Sequence, residues 1–172
     1  MRPWARRSSA PPEAVARLAL ERGERVLASA QDRHGRWHHG TDRALHLSAE
    51  SGDRRIPWER VDHATWDRDS ERLLVVEIAD FGEQQPQAAL DFEDPGRLLP
   101  LIRERVTASI VLTRNEPVEG SRGIKVIGRR SPTRRGDVVW SFWLDKGLDP
   151  ADPRVRDALD RGLAQAQAEL PA

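Results

Sequence analysis

The chain has 172 residues, no cysteine, and 28 basic side chains balanced by 28 acidic ones. This length fits one domain, or one domain with an appended subdomain, and the lack of cysteine excludes disulfides and thiolate metal sites. No segment approaches the roughly 20 apolar residues of a membrane-spanning helix, and the N-terminus lacks an apolar signal core, so we expect a cytoplasmic protein.

The first third of the chain predicts a tail, a helix and short strands. Residues 1–12 hold three prolines and are expected to be a flexible tail. A short amphipathic helix is predicted over residues 13–22, because Val15, Leu18 and Ala19 share one face and Gly23 ends it. From Glu24 onward, strand-length segments alternate with turn residues, which indicates antiparallel β structure. These segments are 25–31, 36–41 and 44–49.

The middle of the chain predicts a hairpin followed by a helix. The segments VDHATWD and RLLVVEIA flank RDSE, which predicts two strands joined by a four-residue turn. A further strand is predicted over residues 87–92. Asp94 and Pro95 predict the start of a second helix, with Pro100 in its first turn. The apolar side of that helix holds Leu98, Leu99, Ile102 and Val106.

The last third predicts more strands and a final helix. Strands are expected at SIVLT, GIKVIG and DVVWSFWL, the last two joined as a hairpin whose tip contains SPTRRG. Asp152 and Pro153 are typical of a helix start. The predicted apolar face of this helix holds Val155, Leu159, Leu163, Ala166 and Leu170.

Residues in four segments resemble the bacterial PH-like and GRAM-like domain superfamily over about residues 20–107. The matching positions are Gly23, Glu24, Val26, Leu27, Thr41, Asp42, Leu45, Ile56, Pro57, Trp58 and Val61. The chain differs from many relatives in having Ala44, and not arginine, directly before Leu45. The resemblance implies a mostly β (α+β) protein, in which two packed antiparallel sheets form a barrel or sandwich closed by a helix over 94–106.

This resemblance also implies a domain division and a class of function. Residues 13–107 would be the PH-like domain with its N-terminal helix. Residues 108–172 lie outside the resemblance and are predicted to be a C-terminal β-hairpin and helix extension packed on that domain. Members mostly bind lipids, phosphorylated headgroups, peptides or proteins, and most are not enzymes. We therefore expect a non-catalytic binding module without a cofactor, whose partner is a protein or another copy of itself. No ligand residue can be carried over from the family.

An arginine-rich hairpin tip is the leading candidate site. Arg129, Arg130, Arg134 and Arg135 lie within GRRSPTRRG, and guanidinium groups can clamp phosphates on a lipid headgroup or a nucleic acid. Nucleic acid is the less favoured ligand, because its binders usually carry a broader basic face. Trp143 is a candidate surface anchor. The alternative for the tip is a solvated loop without a ligand.

Charge and histidine patterns complete the sequence predictions. Residues 50–104 hold 14 acidic and 7 basic side chains, whereas residues 114–135 hold 7 basic and 2 acidic ones, so opposed patches could orient a partner or a second copy. His34, His38 and His39 suggest a metal site, in which His34 and His38 could converge with His46 from the next strand, but no carboxylate falls at a suitable spacing. We expect these histidines to be solvent-facing, and Trp58 to be a packing residue.

Overall fold

The structure, a computed structural model, describes residues 10–170, so residues 1–9 of the predicted tail lie outside the described range. Antiparallel strands dominate this range, and a single 3₁₀ turn over Trp58–Arg60 precedes the fifth strand. The helices are α1 (Pro12–Ala16), α2 (Leu98–Ser109) and α3 (Pro153–Glu169). The strands are β1 (Val26–Gln31), β2 (Trp37–Thr41), β3 (Ala44–Leu47), β4 (Arg54–Pro57), β5 (Val61–Asp67), β6 (Arg72–Glu77), β7 (Gln87–Asp91), β8 (Ile110–Glu119), β9 (Arg122–Arg129) and β10 (Val139–Leu144).

The strands form three antiparallel sheets, which makes the protein α+β and mostly strand. Their orders are β1–β2–β3–β4, β5–β6–β7 and β10–β9–β8. The predicted hairpin around RDSE is confirmed, since Asp67 pairs with Arg72 across its turn. The sheets stay separate within residues 10–170, so the structure shows no closed barrel.

The first two sheets and α2 share one hydrophobic core. Trp58, Leu73 and Phe92 are fully buried there, and Leu98 and Ile102 of α2 pack against the same cluster. Trp58 also donates a hydrogen bond from Nε1 to the carbonyl oxygen of Thr41 at 3.0 Å. The prediction that Trp58 is a packing residue is therefore confirmed.

Two predicted helices differ from the observed ones in length. The first is a single turn, Pro12–Ala16, and none of its residues is buried. The prediction of a helix over 13–22 was wrong, because a short helix without a packing surface is not stable in water. The second helix begins at Leu98, since Asp94 accepts a hydrogen bond from the backbone N–H of Gly96 and forms a turn. Pro100 does lie in the first turn of α2.

The C-terminal extension contains the three predicted strands in one sheet, with β9 and β10 paired as the predicted hairpin, and α3 covers this sheet. Asp152 caps α3 as expected, accepting a hydrogen bond from the backbone N–H of Arg154. The side of α3 against the sheet holds Val155, Ala158, Gly162 and Ala166, and Leu159 and Leu163 are only half-buried. A Cβ atom at Gly162 would lie 2.5 Å from Cγ of Glu116. Small residues therefore let α3 approach β8 and β9 closely.

Among residues 10–170, none of the helices has the length and apolar character needed to cross a membrane.

Candidate functional site

Three arginine side chains from distant parts of the chain converge on the carboxylate of Glu21. Arg43 lies in the turn between β2 and β3, Arg55 in β4, and Arg134 in the loop between β9 and β10. Their guanidinium nitrogens lie 3.3, 3.1 and 3.0 Å from the Glu21 oxygens, in that order. We call Glu21, Arg43, Arg55 and Arg134 the arginine site.

Glu24 supports the arginine site from its buried side. Its buried carboxylate accepts hydrogen bonds from the Thr41 hydroxyl at 2.6 Å, from Nε2 of His46 at 3.1 Å and from Arg55 at 3.2 Å. It also accepts one from the backbone N–H of Glu21 at 2.9 Å. Burial alone would raise the pKa of Glu24, but these hydrogen bonds and the charge of Arg55 lower it to about 2. Glu24 is thus a fixed anion that orients one guanidinium.

The turn between β2 and β3 positions Arg43. The hydroxyl of Thr41 accepts hydrogen bonds from the backbone N–H groups of Arg43 and Ala44, at 3.0 and 2.8 Å. Arg43 then donates from Nη1 to the carbonyl oxygen of Arg22 at 3.1 Å. Gly23 has a φ of +79°, a conformation that favours glycine and lets the chain turn between Glu21 and Glu24. Local turn chemistry therefore brings both carboxylates to the arginines.

The arginine site faces solution on its outer side. The Arg134 side chain is 48% exposed, whereas the side chains of Arg43 and Arg55 are mostly buried. The Nε atoms of Arg43 and Arg55 are buried and have no hydrogen-bond partner within residues 10–170. These Nε atoms are closed to a ligand in solution, but each guanidinium group has five N–H donors, so the three arginines carry more donors than the carboxylates of Glu21 and Glu24 accept.

The structure places Arg129 away from the exposed tip on which it was predicted. It lies within β9 and is buried, and its guanidinium donates to the carbonyl oxygens of Val106 and Asp62 and to the Ser109 hydroxyl. Burial lowers the pKa of Arg129 from its ordinary value, and the nearby Asp62 acts in the opposite direction. Arg129 ties the end of α2 to β5 and has no free face for a ligand.

The other predicted residues are divided between two places. Arg130, Arg134 and Arg135 follow β9 in the predicted tip; Arg130 is half-buried and Arg135 is exposed. Trp143 lies four residues beyond the start of β10, about 13 Å from that loop at the usual rise of a strand. It is 45% exposed, donates from Nε1 to Asp62 at 3.2 Å and contacts the ring of His63. The structure therefore does not bring Trp143 to the arginine loop.

The prediction of solvent-facing strand histidines was wrong for His38, His39 and His46, which are all buried. His38 accepts a hydrogen bond from the backbone N–H of Ser48 at Nδ1, so its Nε2 carries the proton and donates to Asp32 at 3.0 Å. Burial and the neighbouring rings of His46 and His38 lower the pKa of His39 to about 4. His38 and His46 thus pair with the buried carboxylates of Asp32 and Glu24. No group of three or more His, Asp or Glu side chains that could hold a metal ion occurs within residues 10–170.

Sequence reasoning missed three members of the arginine site, namely Glu21, Arg43 and Arg55. They are separated from Arg134 by about eighty residues or more, so no local pattern connects them. One signal in the sequence pointed to this region. Gly23, Glu24, Thr41 and Asp42, which are among the positions of the family resemblance, lie next to Glu21 and Arg43 in the sequence. Comparison with protein-family models, with curated proteins and with solved structures gives no match for this chain.

Proposed function

We propose that the chain is a non-catalytic, PH-like binding module that recognises a phosphate-bearing ligand through Arg43, Arg55 and Arg134. The supporting observation is the convergence of three guanidinium groups, from three separate elements, on one half-exposed carboxylate. Glu21 occupies the position that an external anion would take. Guanidinium groups match the geometry of phosphate oxygens, which favours a phosphate group as the ligand.

The arrangement of the first two sheets supports the PH-like part of this proposal. A four-stranded and a three-stranded antiparallel sheet share one core with α2, as the resemblance implies. The contacts of Glu24 with Thr41, and of Asp42 with the backbone N–H of Arg25 at 2.7 Å, give a physical role to the motif residues.

Glu21 can leave the arginines without opening the core. No residue between 17 and 23 is buried, whereas Glu24 is held by four hydrogen bonds just beyond that segment. An incoming dianion would replace a single negative charge, and it would form more charge-assisted hydrogen bonds with the same donors. Glu21 therefore acts as an internal competitor whose removal should strengthen binding.

The test measures binding of inorganic pyrophosphate by isothermal titration calorimetry. We expect Arg134→Gln to weaken binding about tenfold, because one charge-assisted hydrogen bond is lost, and Glu21→Gln to strengthen it. Arg135→Gln is the matched control, since this exposed arginine of the same loop has no contact with Glu21. Equal losses in the two arginine variants would contradict a defined site, as would the absence of binding in both wild type and Glu21→Gln.

A second binding experiment identifies whether the phosphate belongs to a lipid headgroup or to a free compound. Sedimentation with phosphatidylcholine vesicles that contain a phosphoinositide is compared with sedimentation with phosphatidylcholine alone. Phosphoinositide-dependent binding that Arg134→Gln weakens would assign the site to a lipid headgroup. Pyrophosphate binding without vesicle binding would assign it to a free phosphate compound.

Self-association is a second candidate function, supported by a different surface. Strand β8 is one of the two edge strands of its sheet, and its outer side has no partner strand within residues 10–170. Ile110 and Val111 at its start are 40% and 42% exposed. Exposed apolar side chains on an edge strand favour pairing with another chain. A second copy could add its own β8 to this edge.

Sedimentation velocity at increasing protein concentration tests this second function. We expect a monomer–dimer equilibrium that Val111→Lys shifts towards monomer, because a charge on an edge strand opposes pairing. Leu27→Lys is the control, since Leu27 is a similarly exposed aliphatic residue on β1, in a different sheet. A wild-type protein that stays monomeric at the highest concentration would refute self-association.

A further inference from the structure

A cleft separate from the arginine site lies between the loop after β6 and the loop after β10. Its volume is about 440 Å³, which suits a side chain or a small ligand. Phe81 and Phe142 line it with their rings edge to face, 5.9 Å apart and inclined at 87°. Leu148 adds to the same apolar wall. The cleft can therefore bury the aliphatic or aromatic part of an occupant.

Ser141 supplies an unused polar group on the lining of the cleft. The residue is only 4% exposed, and its hydroxyl has no hydrogen-bond partner within residues 10–170. Buried hydroxyl groups normally form at least one hydrogen bond, because they have given up their contacts with water. An occupant with an N–H donor would satisfy this group.

The charged groups that line the cleft are mostly acidic. Asp80, Glu83 and Asp145 contribute carboxylates, and Lys146 is the one cationic side chain that lines it. None of these carboxylates forms a salt bridge in the described part of the chain. Asp145 is held in place by the backbone N–H of Gly123 at 2.8 Å. The cleft thus favours a cation and disfavours the anions of the arginine site.

We infer that this cleft binds an arginine or lysine side chain of a basic peptide segment from a protein partner. The aliphatic stem would pack against Phe81 and Phe142, and the cationic end would reach the carboxylates of Asp80 and Glu83. Ser141 would accept a hydrogen bond from the same side chain. Residues 50–104, which include Asp80 and Glu83, carry twice as many acidic as basic side chains, so the favourable field suits a chain with several positive charges.

Fluorescence anisotropy with a fluorescein-labelled Gly-Arg-Ala-Arg-Gly peptide tests this inference on the full chain. The same peptide with citrulline in place of arginine is the neutral control, and it should bind much more weakly. We expect Glu83→Gln to weaken binding of the arginine peptide about tenfold, since a charge-assisted hydrogen bond is lost. Glu93→Gln removes an exposed carboxylate that does not line the cleft, and it should leave binding unchanged.

Further variants separate the possible outcomes. Ser141→Ala should weaken binding of the peptide without lowering the stability of the protein, because it removes a hydroxyl that has no hydrogen-bond partner in the free protein. Arg134→Gln should leave peptide binding unchanged, so this inference and the proposed phosphate site can fail independently. Equal losses in Glu83→Gln and Glu93→Gln, or equal binding of the citrulline peptide, would overturn the cleft as a cation site. A dimer that forms without peptide and is lost in Glu83→Gln would contradict binding of a separate protein partner. It would show that the cleft binds a second copy of this chain.

Discussion

Replacing Arg129 by alanine should lower the free energy of unfolding by about 2–5 kcal/mol, because a large buried side chain is truncated and its hydrogen-bond acceptors lose a donor. The guanidinium donates at 2.7 Å to the carbonyl oxygen of Asp62, and at 3.2 and 3.1 Å to Val106 and Ser109 at the end of α2. Alanine would remove the donor from the Asp62 carbonyl oxygen and from the Ser109 hydroxyl oxygen, and it would also open a cavity. The Val106 carbonyl oxygen would keep its hydrogen bond from the Ser109 hydroxyl at 2.7 Å. Urea unfolding followed by tryptophan fluorescence measures the change.

Arg135→Ala is the matched control for this prediction. Arg135 is exposed, so its removal should change stability by about 0.5 kcal/mol or less. The comparison also decides between two roles for Arg129, because the sequence had placed it among the anion-binding residues. A variant at position 129 with wild-type stability and lost pyrophosphate binding would restore that first interpretation.

Local patterns were enough to predict most strands and one helix. The hairpin around RDSE could be predicted because Asp67 and Ser70 satisfy backbone and side-chain groups within the turn itself, independently of the rest of the fold. The start of α3 could be predicted for the same reason, since Asp152 bonds to an N–H only two residues away. Features that depend on neighbours in sequence are visible in the sequence.

Features that depend on distant partners were not predictable. His38 lies in the polar segment RWHHGT, which is typical of a surface strand, and its burial depends on Asp32 from the preceding turn and on Phe92 from beyond β7. The sequence around Arg129 is typical of a basic loop, and its burial depends on contacts with the end of α2 and the start of β5. The first predicted helix shows the opposite error, since a local pattern predicted a structure that tertiary contacts do not support. Its periodic apolar face has no surface to pack against.

The candidate site follows the same division. The sequence indicated the loop that carries Arg134, because four arginines cluster there. It did not indicate Arg43 and Arg55, whose positions are fixed by the pairing of β2, β3 and β4. The carboxylate that joins them, Glu21, lies in a segment predicted to be the end of a surface helix.

Replacing Glu24 by glutamine should change how stability depends on pH. The carboxyl has a pKa of about 2 in the folded protein, below the ordinary value of 4.5, so the folded state favours its ionised form. Its contribution is present above the ordinary pKa and is lost as pH falls from about 5 to about 2. At 1.36 kcal/mol for each unit, the variant should be less stable than wild type by about 3 kcal/mol at pH 7 and nearly equal to it at pH 2.

Urea unfolding of both proteins across this pH range isolates the effect of Glu24. The comparison is needed because the pKa of Asp32 is also lowered; burial alone would raise it, but hydrogen bonds from His38 and Arg36 hold it below its ordinary value. Asp32 is present in both proteins, so its contribution cancels in the difference. A difference in stability that stays constant between pH 7 and pH 2 would show that Glu24 acts through shape and not through charge. The support that we assign to Glu24 beneath Arg55 would then be wrong.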